Sequence, residues 1–289
     1  MFEATEKTRA RVGRSHAMSL ALGTLTILLA APTLIVLAVL VYRGAPALSL
    51  DFLLSPPRAG MTAGGIFPAI VGTFYLVGLS LLVSVPLGVV GAVYLTEYAR
   101  PGRLLDFVHL AIVNLAGVPS IVHALFGVGA FVVFMRLGTS ILAASLTLAV
   151  MNLPIVIAAT RESLLAVPYS FRQASWALGA SRAQTVWHIV LPNALPGILT
   201  GVVFAVSRAA GETAPILFTG VAFYLPSLPN NVFDQCMALS MHLFTITTQV
   251  VGVPESYPAA TALVLIALVL SANAVSVVLR SRHRRNRRW

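Results

Sequence analysis

Residues 69–96 read AIVGTFYLVGLSLLVSVPLGVVGAVYLT and contain no Lys, Arg, Asp or Glu. About 20 consecutive apolar residues let a helix cross the hydrocarbon core of a bilayer, so this stretch predicts a transmembrane helix. Five further stretches of similar character flank it, at 18–42, 108–135, 138–160, 193–221 and 258–279. Hydrophobic residues make up 58% of the 289 positions and charged residues 10%, whereas soluble domains carry roughly 25% charged residues. We therefore expect an all-α polytopic membrane protein with six transmembrane helices.

The basic residues indicate how the six spans are oriented. They gather before the first span, after the second and fourth spans, and at the C-terminus. On that side lie Lys7, Arg9, Arg11, Arg14, Arg100, Arg103, Arg161, Arg172, Arg182 and six arginines from position 280 onward. The positive-inside rule then predicts a cytoplasmic tail at 1–17, a six-helix domain at 18–280 and a basic cytoplasmic tail at 281–289. A net charge of +10 also suits nucleic acid, but arginines beside a span are more typical of contact with anionic lipid, so we expect no nucleic-acid partner.

Several kinds of site are missing from the sequence. The single cysteine, Cys236, allows neither an intramolecular disulfide nor a cysteine-based metal cluster. Lys7 is the only lysine, so the chain has no P-loop for a nucleotide, and no serine-hydrolase or zinc-protease motif stands out. The apolar run at 18–42 exceeds the 7 to 15 residues of a signal-peptide core, which predicts a retained span. We expect no catalytic residue, no metal and no cofactor bound by this chain.

Polar and helix-breaking residues predict a local interruption in the third and fourth spans. In the third, AGVPSIV at 116–122 places Gly117, Pro119 and Ser120 together, and Pro119 frees the carbonyl of Leu115. Irregular backbone at that depth is buried in protein or faces water. The fourth span carries Asn152 and Pro154, which predict a similar local interruption. His123, just after the third-span break, is more typical of a satisfied interior histidine than of a metal ligand.

The two long connections on the outer side differ in character. The segment at 43–66 is rich in Pro and Gly, which argues against regular structure. The outer loop at about 222–257 contains four large apolar residues that predict the buried stripe of a re-entrant or surface helix, with a partner contact as the alternative. These are Met237, Leu239, Met241 and Phe244.

The cytoplasmic connection at about 161–192 reads as helix, turn, helix. Ser170 is a candidate N-cap after Pro168, and Gly179 suits the left-handed residue that stops the first helix. Ser181 can cap the second helix, and Pro192 is expected to end it before the fifth span. The residues alone leave two interpretations open: a connector on the bilayer surface, or a docking element for another protein.

The fifth span, 193–221, is the only one with charges of both signs. Arg208 and Glu212 are four residues apart and are expected to share a helix face. Pro215 strands the carbonyl of Gly211, which predicts a kink close to the pair. The pair either neutralises itself while holding helices together, or it lines a hydrophilic path on which Arg208 meets an anion.

The cytoplasmic connection also resembles a signature of ABC importer permeases, which has the form E-A-A, three residues, Gly, nine residues, Ile, one residue, Leu-Pro. The matching positions are Gln173, Ala174, Ser175, Gly179, Ile189, Leu191 and Pro192. Gln173 stands where the family has Glu, and Ser175 where it has Ala; Gln keeps hydrogen-bonding capacity but lacks the charge. The resemblance implies the type I, MetI-like permease fold and a loop that docks a separate ATPase, which uses the ATP and Mg.

Further stretches resemble the A subunit of phosphate-specific ABC permeases, namely LSLDFL, GGIFPAIVGTFYLV, PLGVVGAVYLTEYA, AGVPSIV and SRAAGETAPILFTG. The resemblance runs from about residue 48 to the C-terminus. It implies phosphate as substrate and a substrate path at Arg208, Gly211, Glu212 and Thr213. It also implies a prokaryotic cell membrane and three kinds of partner: a sister permease subunit, two ATP-binding subunits and an extracytoplasmic phosphate-binding protein. The alternatives are the sister permease itself, a permease for another oxyanion and, more remotely, a membrane scaffold or enzyme.

Overall fold

A computed structural model describes residues 6–285 of the chain. Five helical segments in it are long and apolar enough to cross a membrane, and a sixth crossing is possible through a sharply bent pair of helices. The five segments are Met18–Ala47, Phe67–Tyr98, Ile141–Leu165, Arg182–Gly211 and Ser256–Val275. The predicted all-α membrane fold is confirmed, with one of the six spans replaced by the bent pair.

The outermost helices in the sequence pack against each other. α1 (Glu6–Gly44) and α12 (Ser256–Arg285) form an extended contact. Gly44 lies so close to the backbone of Ala259 and Ala260 that a Cβ atom has no room there. Both helices continue into the predicted tails at 1–17 and 281–289. Residues 1–5 and 286–289 of those tails lie outside the described part of the chain.

The centre of the fold is α6 (Ile141–Leu165), which packs against α3 (Phe67–Val93) and α9 (Leu191–Gly211). Small residues allow the close approach, because Gly88 of α3 lies against Val156 and Gly201 of α9 lies against Ala159. The interruption predicted at Asn152 and Pro154 is wrong, since α6 is one continuous helix. A proline removes a single hydrogen bond, and packing of neighbouring helices on both sides holds the flanking turns in place.

The break predicted in the third span is confirmed. α4 (Arg103–Ala116) and α5 (Ser120–Gly127), which continues as a π-helical turn at Val128–Phe134, meet at an angle of 102°. The amide N–H of Val118 donates to the carbonyl of Leu115 over 3.3 Å, so the carbonyl predicted to be freed is satisfied within the turn. The prediction of one straight span at 108–135 is therefore wrong, because the segment is a broken span or a re-entrant loop.

The fifth span differs from its prediction at both ends. The short helix α8 (Arg182–Thr185) runs through a π-helical turn at Val186–Val190 directly into α9, so Pro192 does not end it. Pro192 follows the π-helical turn by two residues, and such a turn is a place where the regular hydrogen-bond ladder is already altered, which lets the helix accommodate a proline. At the other end α9 stops at Gly211, and Glu212 is extended with φ −73° and ψ 138°.

The outer segments contain more regular structure than their composition suggests. Residues 43–66 include a short helix α2 (Leu50–Leu54) and an antiparallel pair of two-residue strands, β1 (Pro57–Arg58) and β2 (Ala63–Gly64). Ser49 caps α2 through a hydrogen bond from the Phe52 amide of 3.1 Å, so the prediction of an irregular loop is wrong there. The outer loop forms a helix α11 (Leu239–Thr248), as predicted. Met237, Leu239 and Met241 are buried, whereas Phe244 is exposed.

Candidate functional site

Arg208 and Glu212 form an ion pair at the end of α9. The Nε of Arg208 donates to the Oε1 of Glu212 over 3.3 Å. The side chain of Arg208 is 33% exposed, and that of Glu212 is 19% exposed. Glu212 lies beyond the helix, so the pair closes the C-terminal end of α9 and does not run along one face of it. A cation in the last turn of a helix is favourable because the free carbonyls there carry partial negative charge.

The hydrogen bonds from this region to other helices do not involve the charged side chains of the pair. Ser207 Oγ lies 2.7 Å from Asn273 Oδ1 of α12, and the backbone carbonyl of Glu212 accepts from Ser240 Oγ of α11 over 2.8 Å. The two Nη groups of Arg208 have no hydrogen-bond acceptor among residues 6–285. The guanidinium is therefore held by one nitrogen and has donors to offer to a further acceptor.

The residues after the pair start a new helix. Gly211 is exposed, and open space surrounds the position of its missing Cβ. Thr213 precedes a short helix α10 (Ala214–Leu217), and Pro215 lies in the first turn of that helix. The interruption predicted close to the pair is confirmed, but it is a complete break between α9 and α10 and not a kink, because Pro215 lies in the first turn of a new helix, where its missing N–H needs no partner.

The helix break and the charged pair belong to neighbouring parts of the fold. α5, which begins at Ser120 just after the break, packs against α10, which begins two residues after Glu212. His123 of α5 is buried; its Nδ1 lies 3.4 Å from the Pro119 carbonyl, and its Nε2 has no partner within the described residues. Residues 6–285 contain no group of three His, Cys, Asp or Glu that could hold a metal ion.

The connection between the fourth and fifth spans, predicted to be cytoplasmic, forms a helical hairpin, which we call the coupling segment (residues 169–185). Its first helix is α7 (Tyr169–Ala177), which starts directly after Pro168, so the N-cap predicted at Ser170 is wrong. The left-handed conformation predicted for Gly179 is confirmed, with φ +80°. The cap at Ser181 is also confirmed: its Oγ accepts from the Gln184 amide, and the Gln184 side chain accepts from the Ser181 amide over 2.8 Å.

The signature residues of this segment surround an open surface. Gln173, Ala174 and Gly179 are exposed, and Ser175, Ile189, Leu191 and Pro192 are half-buried. A largely apolar cavity of about 350 Å³ lies among them, lined by Phe171, Ala174, Ser175, Leu178, Ile189 and Asn193. Leu178 projects from its edge with 90% of its surface exposed. Such a concave apolar surface can accept a side chain from another protein.

Sequence reasoning missed one site, a buried ion pair between Arg172 of α7 and Glu97. Glu97 lies in the π-helical turn Tyr94–Tyr98 that ends the second span. Arg172 Nη2 lies 2.6 Å from Glu97 Oε1, and both residues are 7% exposed. The two residues are 75 positions apart. The only local signal was an acidic residue at the end of an otherwise uncharged run.

Comparison with known proteins agrees with this architecture. Residues 84–285 match the family described as "Binding-protein-dependent transport system inner membrane component". The "Probable ABC transporter permease protein YqgI" of Bacillus subtilis (strain 168) is 34% identical over 222 residues, 73% of this chain and 75% of that protein. The "Phosphate transport system permease protein PstA 1" of Mycobacterium tuberculosis (strain H37Rv) is 37% identical over 227 residues, 78% and 73% of the two chains.

Solved structures show the same fold at lower identity. A bacterial ABC transporter involved in the import of the acidic polysaccharide alginate aligns with a TM-score of 0.64 at 16% identity, covering 94% of this chain and 98% of that chain. The inward-facing MetNI methionine ABC transporter aligns with a TM-score of 0.59 at 19% identity, covering 76% and 94%. These likenesses confirm the predicted MetI-like permease fold.

Proposed function

The chain belongs to the family of inner-membrane components of binding-protein-dependent transport systems, and we propose that it is the permease subunit of an ATP-driven phosphate importer. It forms half of the translocation path and hydrolyses nothing itself. The substrate follows from relatives of 33–38% identity that are named phosphate transport system permeases. The observation that carries the proposal is Arg208, whose terminal nitrogens have no acceptor among the described residues.

Arg208 suits a tetrahedral oxyanion. A guanidinium offers several donors in a fixed plane, and it stays charged at every physiological pH. The helix that follows the break, α5, packs on the helix that follows the charged pair, α10. Irregular backbone at membrane depth is tolerated where it lines a hydrated cavity. We therefore assign Arg208, Gly211, Glu212 and Thr213 to the phosphate path, with Gly117, Pro119 and Ser120 as the adjacent break.

A second subunit completes this path. α4 has no buried residue, and α5 exposes large apolar side chains on its free face, including Leu125 and Phe126. A broken helix of this kind needs protein against its irregular backbone. The sister permease supplies that contact, and the half-exposed Arg208 then lies between the two subunits.

The remaining partners dock on opposite sides of the membrane. Two ATPase subunits bind ATP and Mg in the cytoplasm, and one of them contacts the cavity lined by Ala174, Ser175 and Ile189. Gln173 lies exposed beside it and offers a hydrogen bond where the permease signature has the charge of a glutamate. The phosphate-binding protein delivers substrate to the outer side. The arginines near the coupling segment support a cytoplasmic position for it and for both termini.

Phosphate uptake by the assembled complex tests the proposal. This chain, the sister permease, the ATPase and the binding protein are co-expressed in a transport-deficient cell, and labelled phosphate uptake is measured for the wild type and Arg208→Gln. We expect ATP-dependent uptake that the substitution abolishes at equal membrane abundance. Arg43→Gln is the matched control, because Arg43 is 59% exposed in a surface ion pair. An assembled wild-type complex that imports another oxyanion but not phosphate would contradict the substrate.

A further inference from the structure

Arg172 fixes the coupling segment to two membrane spans at once. Its Nη2 and Nε donate to the two carboxylate oxygens of Glu97, over 2.6 Å and 3.4 Å. Its Nη1 donates to the carbonyl of Val167 over 2.9 Å, and Nη2 also donates to the carbonyl of Leu164 over 3.0 Å. Each of the three guanidinium nitrogens therefore has a partner, and the partners belong to the ends of the second and fourth spans.

The chemistry of this contact requires arginine. The carbonyls of Leu164 and Val167 lie at the C-terminal end of α6, where helical carbonyls lack intrahelical partners. A guanidinium has enough donors in one plane to satisfy these carbonyls and to bind a carboxylate by two hydrogen bonds, whereas a lysine ammonium cannot do both. Both charged residues are buried, so the water that each loses must be replaced by the other and, for Arg172, by the two backbone carbonyls as well.

Two further contacts hold the coupling segment to the same place. The guanidinium of Arg182 lies 5.4 Å from the centre of the Tyr98 ring, one residue after Glu97. Phe171 packs against the apolar cluster that includes Leu164 and Val190. The opposite side of α7 is free, with Gln173 and Ala174 exposed. The segment thus has one face fixed to the spans and another open to a partner.

We propose that Arg172 and Glu97 are positioning residues that transmit movement of the docked ATPase to the second and fourth spans. The proposal rests on the function given above. α7 is only nine residues long, and without a fixed point it would tilt when its free face is displaced. The fixed point lies in a π-helical turn of the second span, a local distortion that is frequent at functional sites. Displacement of α7 therefore acts on the ends of α3 and α6 together.

The test separates transmission from folding. In the double substitution Arg172→Met/Glu97→Leu no buried charge is left alone, and such apolar replacements of buried pairs often preserve stability. The complete complex is reconstituted in liposomes, and phosphate import and ATP hydrolysis are measured in the same vesicles. We expect assembly and basal ATP hydrolysis to persist while phosphate imported per ATP falls about tenfold, within the usual range of coupling between sites. The control is Arg43→Met/Glu255→Leu, an exposed Arg–Glu pair on the outer side.

Two further readouts make every outcome decisive. Arg172→Lys keeps the charge but loses the planar fork of donors, so we expect it to import less phosphate per ATP than the wild type. This variant tests the inference even if the double variant fails to assemble. Stimulation of ATP hydrolysis by phosphate-loaded binding protein reports transmission in the opposite direction, and we expect it to be lost. The inference would be overturned by an assembled variant that imports as much phosphate per ATP as the wild type and whose ATP hydrolysis is stimulated as strongly by the binding protein. A wild-type complex that is stimulated but imports no phosphate would contradict the proposed substrate, and the stimulation readout would still test the linkage.

Discussion

Gly72 of α3 lies directly against the backbone carbonyl of Met237 in the outer loop, with no room for a Cβ atom between them. One residue further along α3, Thr73 Oγ1 accepts a hydrogen bond of 2.9 Å from the amide of Leu239, at the start of α11. This side of the second span therefore supports the residues that lead into α11. The contact requires glycine for its lack of a side chain and not for its backbone conformation, since Gly72 is an ordinary helical residue.

Gly72→Val should separate α3 from the outer loop. Overpacking of a tight interface usually costs about 1–3 kcal/mol, and here the obstacle is backbone, which cannot rotate away. We expect a lower melting temperature of the purified protein. Gly78→Val is the matched control, because it makes the same change on the same helix with no atom within 4 Å of the new Cβ. Equal melting temperatures for the two variants would show that the contact does not stabilise the fold.

Local signals predicted the parts of this fold that depend on neighbours in sequence. The spans follow from apolar length, and the turn of the coupling segment follows from Gly179 and Ser181, whose conformations are set within a few residues. Pro215 was misread because proline either kinks a helix or starts one, and the packing of α10 on α5 decides between them. Glu97 was visible as an acidic residue at the end of an apolar run, but its partner was not, because Arg172 lies 75 positions away in the sequence.

Pro119→Ala should weaken the break between α4 and α5. Pro119 is extended, with ψ 144°, and α5 starts directly after it. Proline also disfavours a helical conformation for the preceding residue, Val118, and alanine at position 119 would remove that restriction. We expect lower phosphate uptake at normal membrane abundance, since the break lies next to the proposed path. Pro32→Ala is the matched control, because Pro32 lies inside the exposed helix α1. Unchanged uptake in Pro119→Ala would mean that the bend is held by tertiary packing.

His242 should make the stability of the outer loop depend on pH. The residue lies in α11, outside the membrane-spanning segments, and burial lowers its pKa from 6.5 to about 4 because the charged ring loses water. Its Nδ1 has no partner within residues 6–285. The ring binds a proton more readily in the unfolded protein than in the folded one. The contribution of His242 to the free energy of unfolding is therefore fully present above pH 6.5 and is lost as the pH falls towards 4, with a loss of about 2 kcal/mol at pH 5.

The measurement compares melting temperatures at pH 7.5 and pH 5 for the wild type and for His242→Gln. We expect a smaller drop in the variant, because glutamine does not titrate in this range. His188→Gln is the control, since His188 is exposed. An equal drop in all three proteins would assign the acid sensitivity to other groups.

Glu212→Gln should tighten phosphate binding while slowing its passage. The carboxylate holds Arg208 by one hydrogen bond of 3.3 Å and competes with any anion for the guanidinium. Its removal leaves the positive charge unpaired, so a bound phosphate gains affinity, and hydrogen bonds to charged groups contribute about 1.5–3 kcal/mol. Release then requires breaking contacts that no carboxylate replaces. We expect a lower KM for uptake together with a lower maximal rate, at equal membrane abundance.

Glu255→Gln, which removes an exposed carboxylate elsewhere in the protein, should leave both parameters unchanged. A Glu212→Gln variant with a raised KM would show instead that Glu212 orients Arg208 towards the anion and does not compete with it.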